Sequence, residues 1–274
     1  MSHSTFDYVP WQTALLEKAG IVPSRETVML DFGCGAGDCV AQFRRAGYPI
    51  FGCDVRLPAD PAPQLRAHLD EGIVRKIELE PYRLPFADET FDLVFSNQVF
   101  EHVMDYPKAL AEISRILKPQ GVSVHVFPGR WKWKESHVYV PYASVIRSYW
   151  WLKLWALFGI RNEHQAGMSA SEAARKNRDY LIHQTHYLSR RQIRRHVARY
   201  FEDCRFAEEA YFGVSARLRK WADRFPFVLK VWRAWRSDTH MRVLVFGRKR
   251  REDAMAGAPT RATAGGYGEG SETA

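Results

Sequence analysis

The chain reads as a doubly wound α/β fold, and three features of the sequence predict it. Short apolar runs near residues 27–32, 49–54, 73–79, 91–96 and 121–127 alternate with segments of helical period near 36–46, 61–70 and 106–117, the order that a parallel sheet with crossover helices imposes. The first run, Val28-Met29-Leu30, enters a turn with three glycines in five residues, Gly33, Gly35 and Gly37, where main chain can touch a ligand with no Cβ in the way. Two further strands, near 203–212 and 240–247, follow an irregular stretch and bring the count to seven. In such a sheet a ligand belongs at the carboxyl ends of the strands.

Taken in order, residues 1–26 form a helical N-terminal segment and 27–250 a single domain. Val28, Met29 and Leu30 suit a strand covered on both faces. After Ala36, the residues Cys39, Val40, Phe43 and Ala46 recur at helical spacing, so the glycine turn opens a helix whose first N–H groups point into the same space. Pro49-Ile50-Phe51-Gly52-Cys53 is the second strand, ending in Asp54. Beyond the fifth strand regularity lapses until Ser189, an N-cap for the helix that starts at Arg190; residues 129–188 are therefore an insertion, rich in aromatic side chains. A basic, aromatic, helix-forming piece separates the last two strands. From 251 to 274 the Ala, Gly, Thr and Glu-rich tail lacks an apolar period and is expected to be disordered.

Spacing and charge select the ligand. A dinucleotide fingerprint would place its third glycine where this chain has Asp38. No Gly-Lys-Ser/Thr follows the glycines, and a phosphate would meet both Asp31 and Asp38, which excludes a phosphate-binding loop. The turn favours a cationic ligand. Asp54, roughly 20 residues on, is placed to accept hydrogen bonds from both ribose hydroxyls, and taken alone it suits NAD equally well.

Asp31-Phe32-Gly33-Cys34-Gly35-Ala36-Gly37 resembles motif I of the class I S-adenosylmethionine-dependent methyltransferases. The run Leu84-Pro85-Phe86-Ala87-Asp88-Glu89-Thr90-Phe91-Asp92-Leu93-Val94-Phe95-Ser96-Asn97 resembles the middle of their type-11 branch. Glu101-His102-Val103, followed by Ala109 to Gly121 with its Leu117-Lys118-Pro119-Gln120-Gly121 turn, is similar to that branch's next helix and entry to the fifth strand. The resemblance spans about residues 27–128. It implies a Rossmann-like, seven-stranded fold and S-adenosylmethionine as cofactor, and leaves the acceptor open. It also implies that Asp31 meets the cationic amino-acid end, that Gly33, Gly35 and Gly37 line the turn, that Asp54 holds the ribose, and that Ser96 and Asn97 line the methionine portion. Glu80 stands where the family keeps an acid near the adenine amino group; it departs from the commoner Asp, and Pro81 after it donates no N–H.

Composition bounds the rest. With 46% apolar and 14% aromatic residues, nine of them Trp, the chain is a packed globule. No charged-then-apolar leader is visible in residues 1–20, and Cys34, Cys39, Cys53 and Cys204 form no Cys-x-x-Cys pair; cytoplasmic residence without disulfides is expected. The insertion leaves the sheet where the acceptor must lie. Its segment Tyr149 to Ile160 holds twelve residues with one charge, short of the roughly 20 needed to span a membrane, and three readings stay open for it: a lid, a site for a lipid, or a peripheral membrane contact. A net charge of +9, with basic runs at 190–199, 217–224 and 248–251, suits an anionic acceptor or membrane surface; nucleic acid is disfavoured because no RNA-binding module is recognisable.

Methyl transfer from a sulfonium is an in-line displacement helped by alignment and exclusion of water. An oxygen acceptor also needs a base, for which His102, just past the fourth strand, and His137, beside Glu135 in the insertion, are the candidates. His183-x-x-His186 and Glu135-x-His137 each offer two metal ligands but complete no set of four, so no metal is expected. The reading is methyl transfer to a small-molecule, glycan or lipid-linked acceptor at oxygen. The alternatives are an oxidoreductase using NAD or a nucleotide sugar, which Asp38 opposes, and a non-catalytic adenosyl-binding module.

Overall fold

In the computed structural model, which describes residues 6–214 and 241–249, the strands are β1 (Met29–Phe32), β2 (Ile50–Asp54), β3 (Val74–Lys76), β4 (Glu78–Leu79), β5 (Tyr82–Arg83), β6 (Phe91–Asn97), β7 (Leu117–Pro128), β8 (Phe201–Phe206) and β9 (Met241–Lys249). Seven of them make one sheet in the order β3-β2-β1-β6-β7-β9-β8. Neighbours from β3 to β7 run parallel, whereas β9 runs antiparallel to both β7 and β8. The strand order therefore reverses between β1 and β6, and the crevice at their carboxyl ends is the switch point at which such sheets bind ligands.

Helices cover both faces because each strand alternates apolar residues between them. On one side Leu30, Val94 and Phe127 of the sheet pack against Leu110, Ile113 and Ile116 of α4 (Tyr106–Ile116) and Ile193 and Val197 of α7 (Arg190–Val197). On the other, Met29, Phe95 and Val124 pack against α1 (Tyr8–Lys18), α2 (Asp38–Arg45), α3 (Pro63–Asp70) and α8 (Glu208–Val214) through Leu15, Leu16, Val40, Phe43, Leu65 and Ala210. Ser189 caps α7: its Oγ accepts from the Gln192 N–H, and Gln192 accepts from the Ser189 N–H.

The insertion has a core of its own. α5 (Tyr149–Leu157) and α6 (Ala170–His183) pack Leu152, Ala174 and Leu181 against Val138, Val140 and Ala143, so α5 rests on α6 rather than on the sheet. Two expected strands are shorter than the apolar runs implied. The run at 73–79 leaves the sheet after Lys76 and turns into a separate β4–β5 hairpin. The run at 203–212 ends at Phe206, because Ala207, Ala210, Tyr211 and Val214 repeat at helical rather than alternating spacing and pack beside α1, the last three as part of α8. The expected disordered tail, the helix-forming piece before β9 and the basic run at 217–224 lie outside the described residues, as do Arg250 and Arg251 of the run at 248–251.

Candidate active site

The turn after β1 is pinned to β2, since the N–H groups of Gly33 and Cys34 both donate to the Cys53 carbonyl, at 2.7 and 3.1 Å. Gly33 and Gly35 have φ of +81° and +54°, in the left-handed region that glycine tolerates. Their reasons differ. A Cβ on Gly33 would lie 2.3 Å from Val99 Cγ2, whereas a Cβ on Gly35 would meet nothing within 4 Å among the described residues. Gly33 is thus required by its neighbour, and Gly35 borders open space. Gly37 is the N-cap of α2. Asp54 closes the far wall, accepting from Gly35 N–H and Arg56 N–H at 2.8 Å each, one bond per carboxylate oxygen; each oxygen keeps a lone pair for a ligand hydroxyl.

Asp31, next to last in β1, is a carboxyl only 5% exposed. Burial pushes it up to about 7, with a hydrogen bond from the Cys39 thiol opposing and the Asp54 charge adding to the rise. At the end of the adjacent β6, Asn97 Nδ2 donates to Gln12 Oε1 of α1 at 3.0 Å, while Gln12 Nε2 and Asn97 Oδ1 are buried with no partner among the described residues. Ser96 departs from expectation. Its side chain is fully buried on the opposite face of β6, bonded to His125 Nδ1 at 2.8 Å, and the other ring nitrogen meets Ser123 Oγ at 2.6 Å. That hydroxyl is committed to the sheet interior and does not line the crevice. Glu80 stands exposed at the tip of the β4–β5 hairpin.

The two candidate bases meet. His102, at the end of a 3₁₀ turn (Phe100–His102) after β6, and His137 of the insertion have ring centroids 4.9 Å apart. His137 Nδ1 lies 2.9 Å from Glu135 Oε1, and Glu135 is fully buried. Burial alone would raise the Glu135 carboxyl, but the hydrogen bond and charge of His137, the Tyr187 hydroxyl at 2.7 Å and the Val138 N–H at 2.8 Å outweigh it and hold it at about 2. An ionised carboxylate only accepts, so Nδ1 carries the hydrogen and Nε2, in the neutral ring, is the basic atom. His102 Nδ1 likewise donates to the Gln184 carbonyl at 2.7 Å; burial lowers its pKa. Glu101 completes the cluster, 1% exposed, neither oxygen accepting a hydrogen bond from another of the described residues. Burial pushes its carboxyl up to about 7 while its own N–H and the charges of His137 and Lys132 pull the other way.

Residues 30–125 match the family described as a methyltransferase domain. They form a class I S-adenosylmethionine-dependent methyltransferase domain of the type-11 branch. The chain is 32% identical over 110 residues to a malonyl-[acyl-carrier protein] O-methyltransferase of Pseudescherichia vulneris, covering 40% of this chain and 42% of that one. It is 35% identical over 99 residues to a ubiquinone biosynthesis O-methyltransferase of Rhodopseudomonas palustris, covering 34% and 37%. The chain thus spans well under half the length of these curated relatives. Among solved structures, a Haemonchus contortus phosphoethanolamine N-methyltransferase 2 bound to S-adenosyl-L-methionine superposes with a TM-score of 0.49 at 15% identity, covering 88% of this chain and 52% of that one.

The residues of this methyltransferase domain fit its cofactor. A buried acid with an elevated pKa calls for a cation, the open side of Gly35 leaves room for ligand atoms, and the unpartnered Gln12 amide and Asn97 oxygen supply a donor and an acceptor at the same strand ends. Sequence reasoning missed Gln12, Glu101 and Tyr187. Gln12 lies on a helix far from any motif, and Tyr187 reaches Glu135 across 52 positions. Glu101 was legible only as part of a motif; its lack of partners is a tertiary fact.

Proposed function

We propose that this chain transfers a methyl group from S-adenosylmethionine to a hydroxyl of a small-molecule, glycan or lipid-linked acceptor. The observation that carries the oxygen reading is the Glu135–His137 pair, whose basic Nε2 has no partner among the described residues and borders a cleft of about 370 Å³ that Tyr180, Asn162 and Asn177 also line. The bound cofactor supplies an electrophilic methyl on a sulfonium. Asp31 would hold its ammonium, Asp54 its ribose, and Gln12 and Asn97 the methionine end.

In a transfer to oxygen, bound S-adenosylmethionine would supply the methyl and leave as S-adenosylhomocysteine, keeping the C–S electron pair. His137 Nε2 would take the proton that the acceptor hydroxyl gives up, and Glu135 would stabilise the resulting imidazolium until that proton leaves to water. His102 fills the space beside His137, and Tyr187 fixes Glu135. We place this work in the cytoplasm, where four free thiols are the ordinary state.

Calorimetry with S-adenosylmethionine, S-adenosylhomocysteine and NAD tests the cofactor, and transfer of labelled methyl from S-adenosylmethionine into small-molecule and lipid extracts tests the reaction. Binding of the first two but not NAD, with label in a base-stable ether, is expected. Binding of NAD alone, or label solely on nitrogen or carbon, overturns the reading.

A further inference from the structure

α5 is apolar on both sides. Leu152 and Ala156 are buried against α6 and the 138–143 segment. On the opposite side Trp150, Leu154, Leu157 and Phe158 follow the i, i+4, i+7, i+8 spacing of one helix face and are 74%, 43%, 67% and 72% exposed. Large side chains do not gather in water on one face without a partner. We propose that this face docks the protein on an anionic lipid bilayer, with α5 lying along the headgroup region.

Charge and ring placement favour that occupant. From residue 136 to 162 there is no acidic residue, while Arg147, Lys153 and Arg161 fall in the stretch, and the whole chain carries +9. Lys153 Nζ lies 5.8 and 5.5 Å from the ring centroids of Tyr149 and Trp150, a cation among aromatic rings of the sort that seats at the membrane interface, with rings at headgroup depth and the ammonium reaching phosphate. Glu172, in the first turn of α6, is turned back onto the Ser169 N–H. No described helix is long and apolar enough to cross a membrane, so the contact lies on the surface. At about 1.5 Å per residue α5 is only about 14 Å long, too small a face for the roughly 800 Å² per partner of a stable dimer. α6, on which α5 rests, carries the Asn177 and Tyr180 that line the cleft beside His137. Docking would bring that cleft to the bilayer and favour a lipid-linked acceptor, a consequence that rests on the methyl-transfer reading, whereas docking itself does not.

Flotation of the full chain with vesicles of phosphatidylcholine, alone or with about one-third phosphatidylglycerol, tests the proposal. Wild type is expected to float with the anionic vesicles, less so as salt rises, and a Trp150→Ser, Leu157→Ser, Phe158→Ser variant to lose at least about tenfold in partitioning with its circular dichroism and S-adenosylmethionine affinity unchanged. Should that variant fail to fold, Lys153→Glu is expected to weaken anionic binding alone. Wild type remaining in solution, a folded variant floating as wild type does, Lys153→Glu without effect, or light scattering that reveals a dimer dissolved by the triple change would each overturn it.

Discussion

Replacing Asp31 by Asn separates what the acid does for the cofactor from what it does to the fold. Burial raises this carboxyl from 3.8 to about 7, roughly three pKa units at about 1.4 kcal/mol each, or about 4 kcal/mol at most. The native state therefore holds a proton that the unfolded chain gives up between those values. Stability is full below pH 3.8 and declines as pH rises toward about 7, because over that range the unfolded chain gains by ionising while the folded carboxyl stays protonated. A bound ammonium reverses the penalty by pairing with that charge. Two consequences follow with opposite signs. Below about pH 7 the ligand must expel a proton, so affinity for S-adenosylmethionine should weaken up to tenfold per pH unit. In Asp31→Asn the slope should vanish and affinity at about pH 7.5 should fall roughly 10- to 100-fold through loss of a charged hydrogen bond, yet the ligand-free variant should melt several degrees higher than wild type.

Calorimetry from about pH 5.5 to 7.5, below the point where the ligand's own amino group deprotonates, in two buffers of different ionisation enthalpy, counts the released protons. Glu101 is also raised to about 7, so Glu101→Gln serves as a control that should keep the slope. A flat affinity in wild type, or an unchanged slope in Asp31→Asn, refutes the reasoning.

Three further sets of substitutions probe the imidazole–carboxylate pair, the glycine turn and the sheet interior. His137→Ala should cut turnover about 10²- to 10⁴-fold with cofactor affinity kept, and Glu135→Gln, which keeps the shape but loses the charge, should fall between it and wild type; equal turnover in all three removes the pair from the mechanism. Gly33→Ala, driven into Val99 at 2.3 Å, should lower the melting temperature far more than Gly35→Ala, whose Cβ meets nothing within 4 Å, while Gly35→Ala should lose cofactor affinity; equal destabilisation would show that the cradle is not open where it is drawn. His125 is sandwiched between Phe100 and Phe246. Ser123 Oγ donates to the Val94 carbonyl and so accepts from Nε2, leaving Nδ1 to accept from Ser96, which makes the ring neutral. Its folded pKa lies well below 6.5, so stability is lost as pH falls below 6.5, by up to about 2 kcal/mol near pH 5. Urea unfolding of wild type and His125→Gln at about pH 7 and 5 should reveal that difference in pH dependence, and parallel losses would refute it.

What was legible in the sequence was local. The turn after β1 and the acid at the end of β2 are set by neighbours a few positions away, and a buried parallel strand announces itself by continuous apolar residues. Ser96 illustrates the limit. A motif places it at the carboxyl end of β6, but strand alternation decides that Asn97 faces α1 while Ser96 turns to His125, and the motif is blind to that alternation. The 203–212 run failed for the opposite reason: Cys204 and Phe206 alternate as in a strand, and the helical repeat begins only at Ala207. The acceptor side was least legible, since its key pairings span tens of residues through an insertion with no period of its own.

One connection between the two halves of the site depends wholly on the fold. Asp54, the proposed ribose holder, is bonded to the Arg56 N–H; the Arg56 guanidinium donates to Gln184 Oε1 at 2.8 Å; and the Gln184 carbonyl holds His102 Nδ1 at 2.7 Å, beside His137. Gln184 caps the end of α6, the helix that carries the cleft. A ligand that orders the loop after β2 therefore acts on the same short chain of hydrogen bonds that seats α6 and the imidazoles. In the proposed reaction this explains why a base borne on an insertion, rather than on the rigid sheet, can still be held in register with the cofactor cradle. The insertion is fastened to the cradle by polar contacts at Arg56 and His102, while its apolar core stays separate and its outer face remains available for a surface.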